Sequence, residues 1–327
     1  MYFVGVIQPI AHMKRFVFIS ALLLFCCNPE TKQKKTFDAV SEVQYVEAVT
    51  LLGDTLRTPK ALPGKTLDKY KKAKEQFDKT PDSVEAVIWY GRRTAYLRHY
   101  QKAISIYTDG IKKFPEEARL YRHRGHRYIS VREYDKAIHD FKMAAKLMDG
   151  QPDQVEPDGI PNSRNTPIST LKGNIWYHLG LAYYLKGDLE NALWAYQQRE
   201  MTNTNNDNLV SEGHWLYMIQ RRMGDKEGAA ASIQDVAMKM DIIENTNYHK
   251  MCLFYKELLD LKDLKIKGDG SSSDDVFLYG LGNWHLYEKN DTVTAKTYFK
   301  RLLEEGNKYS FAYLAAESDW NRLFESP

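Results

Sequence analysis

The amino-acid sequence predicts an all-α protein, in which antiparallel pairs of helices stack into one superhelix with helical caps. Three observations predict this fold. A pattern of glycine, alanine and aromatic residues recurs along the chain, and its first two copies lie 34 residues apart. Apolar residues within each copy follow the period of a helix, and turn residues separate two helical stretches. The composition, 43% hydrophobic and 27% charged over 327 residues, is ordinary for a globular chain with a core.

The charge balance and the cysteine count exclude two classes of protein. The chain has 46 Lys and Arg against 43 Asp and Glu, a formal charge of +3, so no strongly basic surface for nucleic acid is predicted. Its three cysteines are too few for a disulfide scaffold. We therefore expect neither a nucleic-acid partner nor a small disulfide-stabilised domain.

The first residues of the chain have the character of a targeting segment. Lys14 and Arg15 precede ten uncharged, mostly apolar residues at 16–25. A helix of this length covers about 15 Å, half of a bilayer core of about 30 Å, so it is too short to span a membrane. Basic residues before a short apolar run are typical of a secretory signal. Met13 is an alternative start, because the residues before it fit no signal architecture.

Two cysteines follow the apolar run. The residues Leu-Phe-Cys-Cys at 24–27 resemble the lipobox of bacterial lipoproteins, in which the cysteine after the cleavage site receives the lipid. Cys27 follows the small Cys26, whereas Cys26 follows the bulky Phe25, so the resemblance implies lipidation of Cys27. The protein would then be lipid-anchored in the bacterial cell envelope, on its periplasmic or outer-membrane face. The alternative is a plain signal peptide and a secreted protein.

Four copies of the repeated pattern share one internal spacing. The alanine follows the glycine by 12 or 13 residues, and the aromatic residue follows the alanine by four. A glycine in the first helix lets the second approach closely at the alanine, and the aromatic residue one turn later is expected to fill the gap to the next unit. Because each helix pair has an apolar face that it cannot bury alone, the units are expected to stack. The copies are Gly91, Ala103 and Tyr107; Gly125, Ala137 and Phe141; Gly180, Ala192 and Tyr196; and Gly282, Ala295 and Phe299.

These copies resemble tetratricopeptide (TPR) repeats. Residues 173–206 match most completely, and 84–117 and 118–149 also match well. The matching residues of the best copy are Trp176, Leu179, Gly180, Tyr183, Gly187, Asp188, Ala192 and Tyr196. The resemblance implies a TPR α-solenoid, a right-handed superhelix of antiparallel helix pairs that binds proteins without catalysis.

Over about residues 50–265 the chain also resembles secreted or lipid-anchored bacterial TPR proteins of unsettled function. The segments that carry this second resemblance are 88–93, 120–128, 155–162 and 174–180. It implies the fold and a location in the cell envelope, and it implies no catalytic residues and no ligand.

The spacing of the copies divides the chain into segments. They are residues 1–27 (signal and lipobox), 28–36 (tether), 37–83 (N-terminal helical cap), 84–149 (two units), 150–172 (a proline-rich insertion), 173–243 (two units), 244–274 (a degenerate helical unit), 275–308 (one unit) and 309–327 (C-terminal cap helix). In the N-terminal cap we expect helices at 37–52 and 67–78 and a loop at 53–66. In the degenerate unit we expect helices at 248–259 and 261–267. The last helix should close the end of the stack.

The signatures of catalysis and metal binding fail one by one. Residues 64–66, Gly-Lys-Thr, imitate the end of a phosphate-binding loop, but Pro59 stands where the first glycine is required. His123 and His126 lie three residues apart on one predicted helix, and the arginines around them would repel a cation. We therefore predict that the protein is not an enzyme and uses no cofactor and no metal.

The concave face of the stack is the predicted binding surface. In a TPR unit, four positions of the first helix line the groove, and counting along the units selects nine residues. Arginine suits bidentate capture of carboxylate or phosphate, and tyrosine adds stacking with a polar tip. The expected ligand is a protein or peptide partner, either acidic or of general apolar and polar character. The nine residues are Arg92, Arg122, His126, Tyr177, Tyr184, His214, Arg221, Tyr279 and Asn283.

The insertion at 150–172 leaves two alternatives open. It could fold over the groove and pair its acids with Arg122 or Arg127, or it could be a solvated loop on the convex side. In the first case it could help to form a closed site for a small anionic ligand, or an enzymatic site. The residues of that pocket would be Arg92, Arg122, His126 and His178. Contact with peptidoglycan or another polysaccharide is a third alternative, which no motif supports.

Overall fold

The computed structural model describes residues 44–60, 64–200, 202, 205–268 and 272–325. Within these ranges the chain forms a short β-hairpin followed by a succession of helices. The predicted signal segment, the tether and Cys27 lie outside the described residues. No helix in the described ranges has both the length and the apolar character needed to cross a bilayer.

The strands are β1 (Val46–Val49) and β2 (Thr55–Arg57). The helices are α1 (Lys65–Lys79), α2 (Val84–Tyr96), α3 (Tyr100–Lys113), α4 (Ala118–Ser130), α5 (Tyr134–Leu147), α6 (Leu171–Lys186), α7 (Leu189–Glu200), α8 (Asn206–Met223), α9 (Lys226–Ala231), α10 (Thr246–Tyr255), α11 (Ser272–Tyr287), α12 (Thr292–Glu305) and α13 (Phe311–Trp320). A 3₁₀ turn lies at Leu261–Asp263, and a π-helical turn follows α13 at Asn321–Glu325.

Consecutive helices pack on one another as pairs, and each pair packs on the next. The pairs are α2 with α3, α4 with α5, α6 with α7, α8 with α9, and α11 with α12. The all-α stack predicted from the repeat is therefore confirmed. Side chains at the helix starts stabilise it locally. For example, Ser83 accepts a hydrogen bond from the amide of Ala86, and Thr170 accepts one from the amide of Gly173.

The glycines of the repeat lie where the two helices of a pair approach most closely. Gly180 faces the ring of Tyr196, and a Cβ atom at Gly180 would lie 2.7 Å from two of the ring carbons. Gly125 faces Phe141 in the same way, with the added Cβ 3.0 Å from the ring. The aromatic residues Tyr196 and Phe141 are fully buried. The sequence predicts that the ring fills the gap to the next unit; in the structure it occupies the space left by the glycine of its own unit.

The N-terminal cap differs from its prediction. Part of the segment 37–52, which was predicted to be helical, forms β1, and part of the predicted loop 53–66 forms β2. Valines at both ends of β1 favour the extended chain, and Gly53 provides the positive φ of 88° that the connecting turn requires. Glu47 attaches the hairpin to α3, because its carboxylate accepts a hydrogen bond from the amide of Gln101 at 2.7 Å.

The degenerate unit also differs in part. Its first helix is α10, but the second helix predicted at 261–267 is only the 3₁₀ turn Leu261–Asp263. Glu257 and Lys265 adopt positive φ values of 58° and 52°, which interrupt helical backbone on both sides of that turn. This unit therefore lacks the second full helix that the regular pairs have.

The last helix does not act as a simple end cap. α13 packs against α6 and α11 as well as α12, and residues 312–319 are all at most 5% exposed. An end cap would bury one face and leave the other in solvent. A helix that is buried on all sides belongs to the interior of the stack.

Candidate functional site

The nine predicted groove residues all lie on first helices of the pairs: α2, α4, α6, α8 and α11. Eight of them are at most 8% exposed, and His126 is partly buried. The prediction placed them on the wall of a groove open to a partner. In the structure most of that wall is covered, by α13 along one stretch and by the insertion (residues 150–172) along another.

A hydrogen-bonded cluster joins three of the nine residues to α13. The hydroxyl groups of Tyr184 and Tyr279 lie 2.6 Å apart, and the amide of Asn283 donates to the Tyr184 oxygen at 3.2 Å. The Tyr279 hydroxyl donates to the carboxylate of Asp319, on α13, at 2.8 Å. These polar groups are satisfied within the chain, so none of them is available to a peptide.

Two buried ion pairs attach α13 to the stack. Arg132 contacts the carboxylate of Glu317 through Nη2 at 2.6 Å and Nε at 3.1 Å, and Glu317 is 0% exposed. Arg222 forms a second bidentate pair, with Asp319, through Nη2 at 2.9 Å and Nη1 at 3.1 Å. Such bidentate pairs fix both position and orientation. α13 is thus held in one place on the inner wall.

The N-terminal end of α13 covers the histidines of α4 and α6. The ring of Phe311 lies 5.6 Å from that of His126, 5.5 Å from that of His178 and 6.2 Å from that of Tyr177, measured between ring centroids. His178 also contacts the main-chain oxygen of Asn174 through Nδ1 at 2.7 Å. The side of these rings that a ligand would need is occupied by the chain itself.

The insertion covers the arginines of α2 and α4. Arg92 donates to the main-chain oxygen of Pro157 at 2.9 Å, and Arg93 donates to that of Gly159 at 2.7 Å. Nε of Arg122 lies 3.0 Å from the carboxylate of Glu156. Of the two alternatives for the insertion, the structure therefore has the one in which it lies over the inner wall and pairs an acid with Arg122.

A small cavity remains beneath the insertion. It measures about 110 Å³ and is lined by Arg92, Ala95, Tyr96, Tyr107, Arg122, His123, His126, Arg127 and Glu156. Three members of the predicted anionic pocket thus meet at one cavity. The fourth, His178, lies behind it, with its ring 4.4 Å from that of His126.

The histidines of the inner wall are held in their neutral form. Burial, together with nearby arginine charges, lowers the pKa of His123, His126 and His178 well below that of free imidazole. Burial alone lowers the pKa of His214 to about 3. Below about pH 6.5 the unfolded chain binds protons that the folded chain does not. The stability that depends on these rings is therefore complete above about pH 6.5 and declines as the pH falls below it.

Two carboxyl groups have the opposite effect on stability. Burial raises the pKa of Glu47 and of Glu212 to about 7, although Arg199 partly offsets this for Glu212. Between about pH 4.5 and pH 7 these carboxyl groups are protonated in the folded chain and ionised in the unfolded chain. Their contribution to stability is present in acid and is lost as the pH rises toward about 7.

A second, larger opening lies between α8, α9, α10 and α11, beside the degenerate unit (residues 244–274). This cleft has a volume of about 550 Å³. Its lining includes three aromatic residues, which we call the floor, and six charged residues, which we call the rim, although Arg221 among them is buried. The floor residues are Tyr217, Tyr255 and Trp284, and the rim residues are Arg221, Lys226, Lys256, Glu257, Glu288 and Lys289. One of the nine predicted groove residues, Arg221, therefore lies at a cleft that remains open.

The walls of the cleft are ordered by contacts within the chain. The rings of Tyr217 and Tyr255 stack with their centroids 4.0 Å apart. Arg221 pairs with Glu288 at 2.6 Å, and the ammonium group of Lys289 lies 4.6 Å from the centroid of the Trp284 ring. With four cations and two carboxylates, the rim carries a formal excess of two positive charges.

Sequence reasoning missed the charged residues that lock the inner wall. Arg222 lies in the last turn of α8 and Arg132 in the turn between α4 and α5, places where arginine is usually solvated, so nothing marked them as buried. A signal did exist in α13, where Glu317 and Asp319 interrupt a run of apolar residues. Acids in a helix that is otherwise apolar require buried partners.

The described ranges contain no group of three or more His, Cys, Asp or Glu arranged to hold a metal ion. Cys252 is fully buried, and burial raises the pKa of its thiol. Its sulfur contacts the main-chain oxygen of Val210 at 3.4 Å. Such a thiol is a packing residue with little thiolate character.

The chain is similar to TPR proteins of known sequence and structure. No protein-family model matches it. A stretch of 124 residues is 28% identical to the small glutamine-rich tetratricopeptide repeat-containing protein 2 of Saccharomyces cerevisiae. The aligned stretch covers 38% of this chain and 30% of that protein. The match thus spans less than a third of the relative's length.

Two solved structures resemble the chain at low identity. YrrB, described as a TPR protein with an unusual peptide-binding site, aligns with a TM-score of 0.41 and 13% identity over 75% of this chain and 98% of its own. The APC/C hetero-tetramer Cut9–Hcn1 aligns with a TM-score of 0.33 and 11% identity over 78% of this chain and 46% of its own. The stacked helix pairs with their glycine-to-aromatic contacts define the fold of the present chain as a TPR-type α-solenoid.

Proposed function

We propose that the protein is a non-catalytic scaffold that binds a segment of a partner protein in the cleft between α8, α9, α10 and α11. The observation that carries this proposal is the contrast between the two surfaces. The inner groove is filled by α13, whereas the cleft of about 550 Å³ remains open and has an aromatic floor. That volume falls within the range of about 300–1,000 Å³ typical of binding sites.

The chemistry of the cleft suits one kind of segment. Tyrosine, tryptophan and arginine are the residue types that carry most of the binding energy at protein interfaces, and all three line the cleft. The excess of positive charge on the rim favours a segment with acidic residues. A segment that places an aromatic or aliphatic side chain on Trp284 and a carboxylate near Lys226 or Lys289 would satisfy both.

The test is capture of partners by charge-reversed variants. Lys226→Glu combined with Lys289→Glu reverses the charge of two exposed rim residues, neither of which is part of the core. Lys112→Glu combined with Lys300→Glu is the control, because these lysines are 71% and 66% exposed on other helices and give the same change of charge. Proteins from detergent-solubilised membranes are captured on each variant and quantified by mass spectrometry.

The rim variant should capture about one tenth or less of the amount of partner protein that wild type captures. A tenfold loss of affinity corresponds to about 1.4 kcal/mol of binding free energy. The control variant should match wild type. Equal capture by the rim variant and wild type would show that the cleft is not the binding surface.

For location, we propose that a lipid on Cys27 holds the protein at a bacterial envelope membrane. The support is the sequence alone: the basic and apolar residues at 14–25 and the two cysteines after them. Metabolic labelling with palmitate should mark the wild-type protein and not Cys27→Ser. Labelling that persists in Cys27→Ser contradicts the anchor, and unlabelled protein in the medium favours the secreted alternative.

A further inference from the structure

We propose that the cavity beneath the insertion is a binding site for a small oxyanion, either a phosphate or a short carboxylate. The site is separate from the open cleft, and it is formed by Arg92 on α2 and by Arg122 and Arg127 on α4. The argument rests on the charge of the cavity, on its unused donors and on its size.

The charges around the cavity do not balance. Among the residues that the structure describes, three guanidinium groups line it together with one carboxylate, that of Glu156. Asp158 lies near Arg92 and does not line the cavity. Arg92 and Arg122 are 8% and 7% exposed. Removing such charges from water without partners is costly, so an anion that enters the cavity recovers free energy that the chain alone does not.

Two buried donors at the cavity have no acceptor. Nε of Arg92 and Nε of Arg122 are buried and make no hydrogen bond within the described part of the chain. Glu156 lies 3.0 Å from Nε of Arg122 but outside hydrogen-bonding geometry. Buried donors without acceptors are rare in folded proteins, and two at one cavity indicate a missing acceptor.

Arg127 adds a third guanidinium in a favourable position. It stacks over the ring of Tyr100, 5.3 Å from the ring centroid, and makes no ion pair with any acid among the described residues. Stacking fixes the plane of a guanidinium while leaving its N–H edge free for an oxyanion. A planar carboxylate or a tetrahedral phosphate can accept two parallel hydrogen bonds from such an edge.

The size of the cavity limits the ligand. Its volume of about 110 Å³ exceeds that of a few waters and is smaller than the roughly 150 Å³ cavity that accommodates benzene. An inorganic phosphate or a carboxylate of a few carbons fits this range. The insertion covers the site through the Arg92–Pro157 hydrogen bond, and Gly159 lies so close to Tyr96 that a Cβ would overlap its hydroxyl. A larger molecule would have to displace the insertion.

The test is titration of the full chain with inorganic phosphate and with malonate, by calorimetry at constant ionic strength. Saturable binding of either ligand to wild type with a Kd below about 1 mM is expected. Which of the two binds decides between a phosphate and a carboxylate. Absence of saturable binding by both would overturn the proposal.

Variants locate the site. Arg127→Gln should weaken binding about tenfold or more, since it removes one guanidinium. Arg98→Gln is the matched control: its guanidinium also stacks on a tyrosine, 4.4 Å from the Tyr309 ring centroid, but lies away from the cavity. Equal affinity in Arg127→Gln and Arg98→Gln would place any binding elsewhere.

A third variant separates a binding role from a structural role. If the arginines serve only to hold the insertion, Glu156→Gln should have no favourable effect on anion affinity. If they form an anion site, removing the competing carboxylate should tighten binding by about threefold or more. Weaker binding in Glu156→Gln, with circular dichroism unchanged, would contradict the proposed site.

Discussion

The pair between Arg132 and Glu317 provides the sharpest test of how the stack is closed. Both side chains are at most 3% exposed. Glu317 accepts from two guanidinium nitrogens and from the amide of Leu51, 2.8 Å away, so one carboxylate connects α13, the end of α4 and the hairpin. Glu317→Gln preserves the shape and leaves the buried arginine without a counter-charge. Breaking a buried pair in this way costs about 3–5 kcal/mol.

The assay is urea unfolding followed by circular dichroism and tryptophan fluorescence. Glu304→Gln is the control, because Glu304 and its partner Lys300 are 62% and 66% exposed, and a surface pair of this kind contributes less than about 1 kcal/mol. Replacing both members of the buried pair, with Arg132→Met and Glu317→Leu, should recover part of the loss, since it removes both charges but leaves the amide of Leu51 without its acceptor. A loss below about 1 kcal/mol in Glu317→Gln would refute the reasoning, because a buried pair costs more than that to break.

Three further predictions concern the repeat, the buried histidines and the degenerate unit. Gly180→Ala should lower the free energy of unfolding in urea by about 1–3 kcal/mol, because the new Cβ overlaps the Tyr196 ring; a neutral effect would contradict the close approach. His214→Gln should make the loss of stability between about pH 6.5 and 4.5 shallower by up to about 1.4 kcal/mol per pH unit, and an unchanged slope in urea melts across that range would contradict a neutral, buried ring. Asp207→Asn should cost about 1.5–3 kcal/mol and speed amide exchange at 243–245, because the carboxylate accepts three main-chain N–H groups there.

The repeat could be read from the sequence because its information is local. The glycine, the alanine and the aromatic ring of one unit lie within about two helices of chain, and their spacing alone sets which groups meet. The close approach of the two helices at Gly180 follows from the sequence, but the sequence predicts that Tyr196 faces the next unit, whereas its ring lies against Gly180 of its own unit. For the insertion the sequence leaves two positions open, over the groove or on the convex side. The structure has the first, in which Glu156 pairs with Arg122.

The position of α13 could not be read in the same way. Arg132 and Glu317 are 185 residues apart, and no periodicity connects them. The apolar run in α13 predicted a helix but not which surface would bury it. The burial of Arg92 and Arg122 follows from only one of the two alternatives for the insertion, since it depends on a segment that lies far away in the sequence. The hairpin was missed because the periodicity of residues 37–52 indicates a helix, whereas the valines of β1 favour the extended chain.

Amide hydrogen exchange along α13 tests the central claim most directly, namely that this helix closes the inner groove and leaves the open cleft as the surface for a partner. If α13 is an interior element, the amides of 313–319 should exchange as slowly as those of α6 and α11, through unfolding of the stack. If these amides exchange through an opening that costs at least about 2 kcal/mol less than in α6, the helix leaves the groove on its own and the account is contradicted.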